Sequence, residues 1–460
     1  MPYTYHPPTG RRCEVCEQLE RDGNANPIIE TQKGKASSAN QFPFHNWYNF
    51  VLGYTPEFPE YVLEREKITT SDVVADPFVG TGTTLIACKQ AAIPSIGIDA
   101  NDFMVDAAQV KLGWDIDCVE FERCVQLILS EARLSIDQYN WEEAVLVAQL
   151  SLFEIGQRDY RELLSRRPAM LVDRYISDKP FVKAILIADI IETHLLNHPL
   201  KTLFDFALNA IVVPISNVRY GPGFGVIKPK DDMDVLSIFA EKLRRMLIDL
   251  KSVKPIQRDT LSAVVLGDSR CASQIFEPDS ISLMITSPPY PGDHEYTKHT
   301  RLELIFRGYA TNLKEFQQIK RRMIRASTTN IYIEDNDRQP ISDVESIQIL
   351  TAEIDKRLQE DGATSGFEKL YTKLVWEYFG GMYATFQECL IGLRPGGKIA
   401  LLVSDSHAFK MVHIQTAKIL AELGLRAGYV NPEILLWQHK TSTSHNYMLR
   451  ENILILTKPT

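Results

Sequence analysis

The feature that most constrains the fold of this chain is a short apolar run that stops at two prolines. The run ISLMI at 281–285 is followed directly by TSPPY at 286–290. Such a short, branched run bounded by turn residues is typical of a buried parallel strand. Because proline has no N–H for a strand ladder, the chain must leave the sheet at Pro288. The sequence therefore predicts a stiff loop at the carboxyl edge of a parallel sheet, where open α/β sheets bind ligands.

The side chains of this loop favour one kind of ligand. Ser287 offers a hydroxyl, the prolines leave carbonyl oxygens without competing N–H donors, and Tyr290 offers an aromatic face. An exocyclic amine can donate to the hydroxyl and to a carbonyl while its ring stacks on Tyr290. We therefore expect the loop to receive a flat base that carries an amine.

A second motif is a glycine turn between a strand and a helix. An apolar strand predicted over 71–75 is followed by DPFVGTGTT at 76–84 and by a helical run over 85–92. This order forms the first βα unit of a doubly wound sheet. The turn has neither the third glycine of the dinucleotide fingerprint nor the lysine of a P-loop, which argues against a phosphate cradle. The next predicted strand, 95–99, ends in Asp99, an acid placed to contact ribose hydroxyls. Together these features indicate a nucleoside-like cofactor.

The rest of the chain alternates between strand and helix patterns and is interrupted twice. Strands are predicted over 263–270, 398–404, 434–437 and 452–456, with helices over 374–393 and 414–423. This predicts an α/β fold, a doubly wound, mostly parallel Rossmann-like sheet with two largely helical insertions. The predicted segments are a loosely ordered lead-in (1–40), core (41–112), a helical insertion (113–258), core with the catalytic loop (259–292), a second helical insertion (293–372) and core (373–460). Helices in the first insertion are predicted over 120–134, 142–157, 181–194, 201–212 and 235–250.

Composition excludes several classes of protein. The chain has 460 residues, 45% of them hydrophobic and 24% charged, which suits two or three globular domains. No apolar run approaches the roughly 20 residues of a membrane span, and the first residues lack a secretory signal pattern. We therefore expect a cytoplasmic protein. Cys13 and Cys16 form a CxxC pair without a second pair at zinc-ribbon spacing, so we expect loop thiols and no metal, with metal binding by this pair as the alternative.

The two motifs together resemble the signature of amino-group DNA methyltransferases. The Ser-Pro-Pro-Tyr form is similar to the N4-cytosine branch, whereas adenine-N6 enzymes more often carry Asp or Asn in place of the serine. The resemblance covers roughly 42–112 and 263–457 and leaves both insertions unexplained. It implies S-adenosyl-L-methionine as the cofactor and DNA, with a base flipped out of the duplex, as the partner. A restriction or defence context with a companion nuclease fits this reading.

The resemblance also implies roles for individual residues. Ser287, Pro288, Pro289 and Tyr290 would be catalytic and would receive the target base. Asp99 would hold the ribose of the cofactor, and Asp268 would lie near its adenine; both have an alternative role as a helix cap. The full set of expected cofactor contacts is Asp76, Phe78, Gly80, Gly82, Thr83, Asp99, Asp268, Phe44 and Trp47.

Basic residues suggest where DNA is contacted. The net charge of −9 argues against wholesale nucleic-acid binding but leaves room for a local basic groove. One cluster in the second insertion is expected to contact the DNA backbone, with a solvated helix face as the alternative: Lys320, Arg321, Arg322 and Arg325. Arg219 and Tyr220, in a glycine-rich loop of the first insertion, either contact DNA or only decorate the loop.

The leading functional hypothesis is a DNA cytosine-N4 methyltransferase. Ser287 Oγ and the Pro288 carbonyl would accept the two hydrogens of the amine while Tyr290 stacks on the base, and no cysteine nucleophile is needed. Two alternatives stay open at this point. One keeps the fold but changes the acceptor to adenine N6 or to an amine in RNA. The other is a non-catalytic subunit that binds the cofactor and contributes only DNA recognition.

Overall fold

A computed structural model describes residues 28–29, 42–48, 50–141, 158–220, 224–292, 294–362, 366–441 and 448–460. Cys13, Cys16 and the helix predicted over 142–157 lie outside these residues. The expectations about them stay predictions.

The central element is a mixed sheet with seven strands within the described residues. The strands are β1 (Val74–Asp76), β2 (Ser95–Asp99), β3 (Ser262–Leu266), β4 (Ile281–Thr286), β5 (Leu393–Ser404), β6 (Val430–Thr441) and β7 (Met448–Thr457). Their order in the sheet is β6–β7–β5–β4–β1–β2–β3. Strand β7 is antiparallel to both of its neighbours, and the other pairs are parallel. The predicted mostly parallel α/β sheet is confirmed.

Helices cover the sheet and build the insertions. The α-helices of the described residues are α1 (Glu57–Arg65), α2 (Thr83–Gln90), α3 (Asp102–Leu112), α4 (Cys118–Asp137), α5 (Asp178–Leu195), α6 (Lys201–Asn209), α7 (Val212–Ile215), α8 (Val235–Lys251), α9 (Pro255–Arg258), α10 (Arg301–Phe306), α11 (Leu313–Arg322), α12 (Glu345–Glu360), α13 (Tyr371–Gly392) and α14 (Thr416–Ala427). Short 3-10 helices lie at His45–Trp47, Tyr160–Arg166, Ser269–Gln274, Tyr296–Thr300, Thr328–Asn330, Gln339–Ile341 and Glu368–Leu370. In the part of the chain that the structure describes, no helix is both long and apolar enough to cross a membrane.

Local chemistry fixes several helix ends. The side chains of Asn101 and Asp117 accept backbone N–H groups at the starts of α3 and α4, and Asp234 and Asn312 do the same for α8 and α11. These N-caps satisfy donors that a helix leaves without a partner. Gly428, with a φ of 106°, ends α14 in a left-handed conformation.

Strand β4 is buried on both faces of the sheet. Met284 packs in one core with α13 and α14, whereas Leu283 and Ile285 pack in another with Phe58 and Val62 of α1. This explains why β4 reads as a continuous apolar run and does not alternate with polar residues.

The strand order reverses at β1 and β4. From β1 the chain continues to β2 on one side, and from β3 it returns to β4 on the other side of β1. The carboxyl ends of β1 and β4 therefore meet where open α/β sheets bind ligands. This edge carries both the glycine turn and the Pro-Pro loop.

Both insertions contribute to the large hydrophobic cores of the molecule. Helices α4, α5, α6 and α8 form a large core with α3, and two short two-stranded sheets accompany them, Tyr139–Asn140 with Arg158–Asp159 and Val218–Tyr220 with Phe224–Val226. In the second insertion, Ile347, Leu350 and Ile354 of α12 share a core with α13 and the sheet. The second insertion is thus packed into the catalytic core. The domain boundaries themselves stay a prediction.

Candidate active site at the carboxyl edge of the sheet

A cleft of about 1070 Å³, including the part open to solvent, lies over the ends of β1, β2 and β4. Its walls come from the segment 50–54, the glycine turn, the end of β2, the Pro-Pro loop and two stretches of the second insertion, 294–297 and 320–330. The structure thus brings the two sequence motifs together in one cavity.

Four of the expected cofactor residues line this cleft: Phe78, Gly80, Thr83 and Asp99. Asp99 Oδ2 accepts a hydrogen bond from the Gly80 N–H at 2.9 Å, and Oδ1 accepts from the Asn101 N–H at 2.8 Å. Gly80 has a φ of 50°, a conformation that side chains disfavour, so glycine suits this turn. Burial raises the pKa of Asp99 to about 6. Each carboxylate oxygen keeps a lone pair for a further donor.

Asp76 and Gly82 lie behind the wall of the cleft. Asp76 Oδ1 accepts from Thr286 Oγ1 at 2.6 Å, and Oδ2 accepts from the Tyr54 hydroxyl at 3.1 Å. Desolvation by burial raises the pKa of Asp76 to about 6. Gly82 lies against α3, where an added Cβ would come within 3.2 Å of Ala108 Cβ. Asp76 therefore ties the end of β1 to the end of β4, and Gly82 allows close helix packing.

Three expected cofactor contacts lie elsewhere in the structure. The Phe44 N–H and Trp47 Nε1 both donate to the Asp249 carboxylate at 2.8 Å, and neither residue lines the cleft. The aromatic contacts come instead from Phe50 and Tyr54. This placement corrects the prediction for Phe44 and Trp47, because the first insertion supplies a buried acceptor that no local pattern announces.

Asp268 is the third such residue. Its carboxylate binds the guanidinium of Arg270, with an Nη2–Oδ2 distance of 2.6 Å, and Arg270 also binds Asp337 at 2.6 Å. The adjacent Gly267 and Ser269 line the cleft, whereas Asp268 does not. The carboxylate is held by an ion pair and also caps the 3-10 helix that follows, and its place near the adenine stays a prediction.

The Pro-Pro loop is held by contacts from distant elements. The Ser287 hydroxyl donates to the Leu402 carbonyl of β5 at 3.1 Å. The Pro289 carbonyl accepts from the Tyr378 hydroxyl of α13 at 2.8 Å. Within the described residues, the Pro288 carbonyl oxygen accepts no hydrogen bond. Ser287 and Pro288 both line the cleft, so the loop has one carbonyl and the lone pairs of one hydroxyl that can accept from further donors.

Tyr290 is fixed at both ends. Its N–H donates to the Tyr296 hydroxyl at 3.2 Å, and its own hydroxyl donates to Glu451 Oε1 at 3.3 Å and lies 3.2 Å from Ser287 Oγ. Burial raises the pKa of the Tyr290 phenol well above its usual value. Tyr290 therefore stays neutral at physiological pH and offers its ring as a fixed aromatic face.

The basic cluster of the second insertion is neutralised by carboxylates. The pairs are Lys320–Glu295, Arg321–Glu334, Arg322–Asp102 and Arg325–Asp335. Lys320 and Arg322 line the cleft, and the Arg325 side chain is only 6% exposed. Each cation of the cluster thus has an acidic partner within the fold, and contact of the cluster with the DNA backbone stays a prediction.

Arg219 and Tyr220, in the hairpin of the first insertion, have different surroundings. Arg219 is exposed, and among the described residues it makes no ion pair. The Tyr220 hydroxyl instead donates to Glu303 Oε2 at 2.9 Å and accepts from the Leu302 N–H at 3.2 Å. Tyr220 thus anchors the hairpin near the segment that follows the catalytic loop. DNA contact by either residue stays a prediction.

Sequence reasoning missed the residues that hold the loop. Glu451 lies 161 positions after Tyr290 in the chain, and Tyr378 lies 89 positions after Pro289. No local signal marks either one, since both act through the sheet and the helix packed on it.

Comparisons with known proteins agree with this geometry. Residues 25–110 match the family model of N6/N4 methyltransferases, described as DNA methylase. The type II methyltransferase M.BsoBI of Geobacillus stearothermophilus is 22% identical over 449 residues, covering 90% of this chain and 86% of that protein. The type II methyltransferase M.AvaI of Nostoc sp. is 20% identical over 464 residues, covering 94% of this chain and 89% of that protein.

A shorter match is closer in sequence. The type II methyltransferase M.MjaII of Methanocaldococcus jannaschii is 44% identical over 68 residues, which is 15% of this chain and 13% of that protein. The family model covers the glycine turn, and the two longer alignments extend across both insertions. The family resemblance inferred from the motifs is confirmed, since the chain matches the DNA methylase model over 25–110 and is similar to type II methyltransferases along most of its length.

Proposed function

We propose that this protein transfers a methyl group from S-adenosyl-L-methionine to the N4 amine of cytosine in double-stranded DNA. The observation that carries the proposal is the state of Ser287. Its hydroxyl proton is directed to the Leu402 carbonyl at 3.1 Å, which leaves the lone pairs of Oγ as acceptors toward a ligand. The Pro288 carbonyl is a second acceptor in the same cleft. Two acceptors suit the two hydrogens of an exocyclic amine.

The cleft has the donors and walls that suit the cofactor. The Asp99 carboxylate lines it and retains lone pairs for the two hydroxyls of a ribose. Gly80 lets the backbone approach a ligand closely, and Phe78 and Met104 add apolar wall for a base. S-adenosyl-L-methionine supplies, when bound, an electrophilic methyl group on a positively charged sulfur.

The chain's own residues would act by positioning. A cytosine flipped out of the duplex would stack on Tyr290 and donate its amine hydrogens to Ser287 Oγ and the Pro288 carbonyl. These hydrogen bonds would draw the hydrogens to one side and free the nitrogen lone pair for bond formation with the methyl carbon, and the nitrogen would then release one of its protons to water. Positioning of this kind can supply several kcal/mol of barrier reduction, roughly 7–11 in well-oriented systems. No cysteine lines the described part of the cleft, which favours an amine acceptor over attack on a ring carbon.

The contact with Leu402 also favours cytosine over adenine as the target. A hydroxyl can donate to the Leu402 carbonyl, whereas an ionised carboxylate at position 287 would face that carbonyl as a second acceptor. The Leu402 carbonyl thus suits a hydroxyl donor at position 287, and serine is the residue found there in the N4-cytosine branch. This is the reason to prefer N4 of cytosine over N6 of adenine.

The names of the relatives suggest the biological setting. Because the longer alignments are to type II methyltransferases, we propose that this protein also serves in the cytoplasm in a restriction-modification system, with a companion nuclease as its functional partner.

The direct test is methyl transfer from labelled S-adenosyl-L-methionine to unmethylated genomic DNA, followed by nucleoside digestion and mass spectrometry. We expect labelled N4-methylcytosine. Labelled N6-methyladenine, or label in RNA alone, would contradict the proposed acceptor. Cofactor binding without any labelled nucleoside would favour a non-catalytic recognition subunit.

A further inference from the structure

Glu451 is a buried carboxylate that contacts Tyr290 of the Pro-Pro loop. Its side chain is 1% exposed, and Oε1 accepts a hydrogen bond from the Tyr290 hydroxyl at 3.3 Å. Gln438 Nε2 donates to Oε2 at 2.6 Å, and Lys440 Nζ donates to Oε1. Three donors, two from strand β6 and one from the loop, thus converge on one side chain of β7. Glu451 does not line the cleft, so it does not belong to the cofactor site described above.

An irregularity in the sheet builds this arrangement. Strands β6 and β7 pair regularly with Leu436 opposite Asn452, but the next pair is Gln438 with Glu451. Trp437 is therefore an extra residue in β6, a β-bulge, and it packs in the core beside α1. The bulge places Gln438 directly across from Glu451, where a regular ladder would place Trp437. Bulges commonly redirect a side chain next to an active site.

The chemistry of the cluster suits a fixed acceptor. An ionised carboxylate accepts hydrogen bonds and donates none, so all three neighbours can donate to Glu451 at once. Lys440, with 30% of its side chain exposed, balances the charge. The Tyr290 hydroxyl has few other choices, since Ser287 Oγ is the one other partner among the described residues. The direction of the Tyr290 ring is therefore set by Glu451.

We propose that Glu451, held by Gln438 and Lys440, is a positioning residue that fixes the Tyr290 ring for stacking on the target base. This inference rests on the proposed function, because it assigns Glu451 a part in receiving the flipped base. Glu451 acts through Tyr290 and does not itself contact the cofactor or the amine. The competing view is that Glu451 and Lys440 only stabilise the β6–β7 hairpin.

Four variants and a control separate these views. Glu451→Ala removes the acceptor, and Tyr290→Phe removes the hydroxyl but keeps the ring. Glu451→Gln keeps one acceptor oxygen, and its new NH₂ can donate to Gln438 Oε1, which accepts no hydrogen bond among the described residues. The double variant Tyr290→Phe with Glu451→Ala tests whether the two side chains act together. Glu433→Gln is the matched control, because Glu433 is an exposed glutamate of β6 that pairs with Arg65 at 2.7 Å.

The first readout is kcat/KM for DNA methylation together with cofactor affinity. We expect Glu451→Ala to lower kcat/KM on the order of 30-fold, Tyr290→Phe about tenfold and Glu451→Gln about threefold. The double variant should be no more than about twofold slower than Glu451→Ala, because both changes break the same link. Affinity for S-adenosylhomocysteine, measured by calorimetry, should stay unchanged in all of them. Losses that multiply in the double variant would overturn the proposal.

The second readout does not depend on methyl transfer. In protein labelled with 3-fluorotyrosine, the ¹⁹F resonance of Tyr290 is identified by its absence in Tyr290→Phe. We expect this resonance to shift or broaden in Glu451→Ala and to stay in place in Glu433→Gln. An unmoved resonance in folded Glu451→Ala would overturn the proposal. If Glu451→Ala does not fold, the resonance is compared in Glu451→Gln, where exchange of the charged acceptor beside the Tyr290 hydroxyl for a neutral amide should give a smaller shift, and an unmoved resonance would overturn the proposal.

The two readouts also separate this inference from the proposed function. If wild-type protein methylates no nucleoside but the Tyr290 resonance moves in Glu451→Ala, the anchoring holds and the proposed reaction fails. If wild-type protein makes N4-methylcytosine and Glu451→Ala is equally fast, the reaction holds and the positioning role fails.

Discussion

The sequence suggests a function for two stretches of this chain, and the structure places their side chains in different surroundings. The Ser287-Pro288-Pro289-Tyr290 loop lies at the strand reversal, inside the cleft that the glycine turn also lines. The cluster Lys320 to Arg325 is equally conspicuous, yet each of its cations is matched by a carboxylate. The whole loop lines the cleft, whereas only Lys320 and Arg322 of the cluster do, and both are ion-paired.

The difference lies in what fixes each stretch. Two prolines after a buried strand determine the local backbone by themselves, wherever the rest of the chain goes. The accessibility of a charge depends on its neighbours in space. The spacing of Asp102 and Asp335 from the cluster along the sequence follows no local pattern that would predict these ion pairs. A motif based on backbone geometry is therefore a safer guide to a site than a run of charges.

The strongest test of the loop changes the character of its acceptor. Ser287→Asp places an anionic acceptor where a hydroxyl donates to the Leu402 carbonyl at 3.1 Å. Because two acceptors would then face each other without a proton, we expect methyl transfer to fall roughly 1000-fold. Single-turnover methylation of genomic DNA measures this rate. Activity close to wild type would contradict the claim that the loop requires a hydroxyl donor at position 287.

The next test asks whether the basic cluster is scaffold. Arg325 pairs with Asp335 at 2.9 Å, and both side chains are nearly inaccessible. Arg325→Ala would leave a buried carboxylate unpaired, so we expect the free energy of unfolding to fall by about 3 kcal/mol. Denaturant unfolding measures the change. Arg321→Ala is the control, because its side chain is 47% exposed and we expect no measurable change in stability. Equal effects of the two variants would contradict the difference in burial.

A pH series tests the cofactor side of the cleft. Burial raises the pKa of Asp99 to about 6, so the group becomes protonated as the pH falls below that value. A protonated carboxyl is a poorer acceptor for ribose hydroxyls, and we expect cofactor affinity to fall about tenfold between about pH 7.5 and about pH 5. Calorimetry measures the affinity. Asp99→Asn should bind weakly at every pH and lose this pH dependence, whereas a persisting dependence would point to Asp76 instead.

The smallest expected effect compares the two basic regions on DNA. Arg219 is exposed without an ion pair in the described residues, so it is free to contact a phosphate. Arg219→Ala should weaken DNA binding a few fold and reduce the slope of log affinity against log salt by about 1. Arg321→Ala should leave that slope unchanged. A reduced slope for Arg321→Ala and an unchanged slope for Arg219→Ala would indicate that the basic cluster, and not the hairpin, contacts DNA.

Much of the fold follows from local patterns. Strand β2 has the predicted bounds, and α4, α5 and α8 begin and end within a few residues of the predicted positions. The glycine turn and the Pro-Pro loop were both placed at the sheet edge by the rule for parallel strands. These features depend on hydrophobic periodicity and on the backbone preferences of proline and glycine, and both are determined by residues that are close together in the sequence.

The missed features depend on contacts between distant segments. Phe44 and Trp47 were expected at the cofactor, but Asp249 in the first insertion binds them instead. The ion-pair network of Asp268 with Arg270 and Asp337 was not predicted either. A buried acid or base takes the partner that the fold brings near, and the sequence alone does not state which one that is.

The central claim is that Ser287 accepts a hydrogen of the cytosine amine. The most direct measurement is the single-turnover rate of N4-methylcytosine formation by Ser287→Ala at saturating cofactor, beside wild type. Loss of one acceptor at the reacting amine predicts a rate about 30-fold lower, with unchanged cofactor affinity. A Ser287→Ala protein that forms N4-methylcytosine at the wild-type rate would contradict the account.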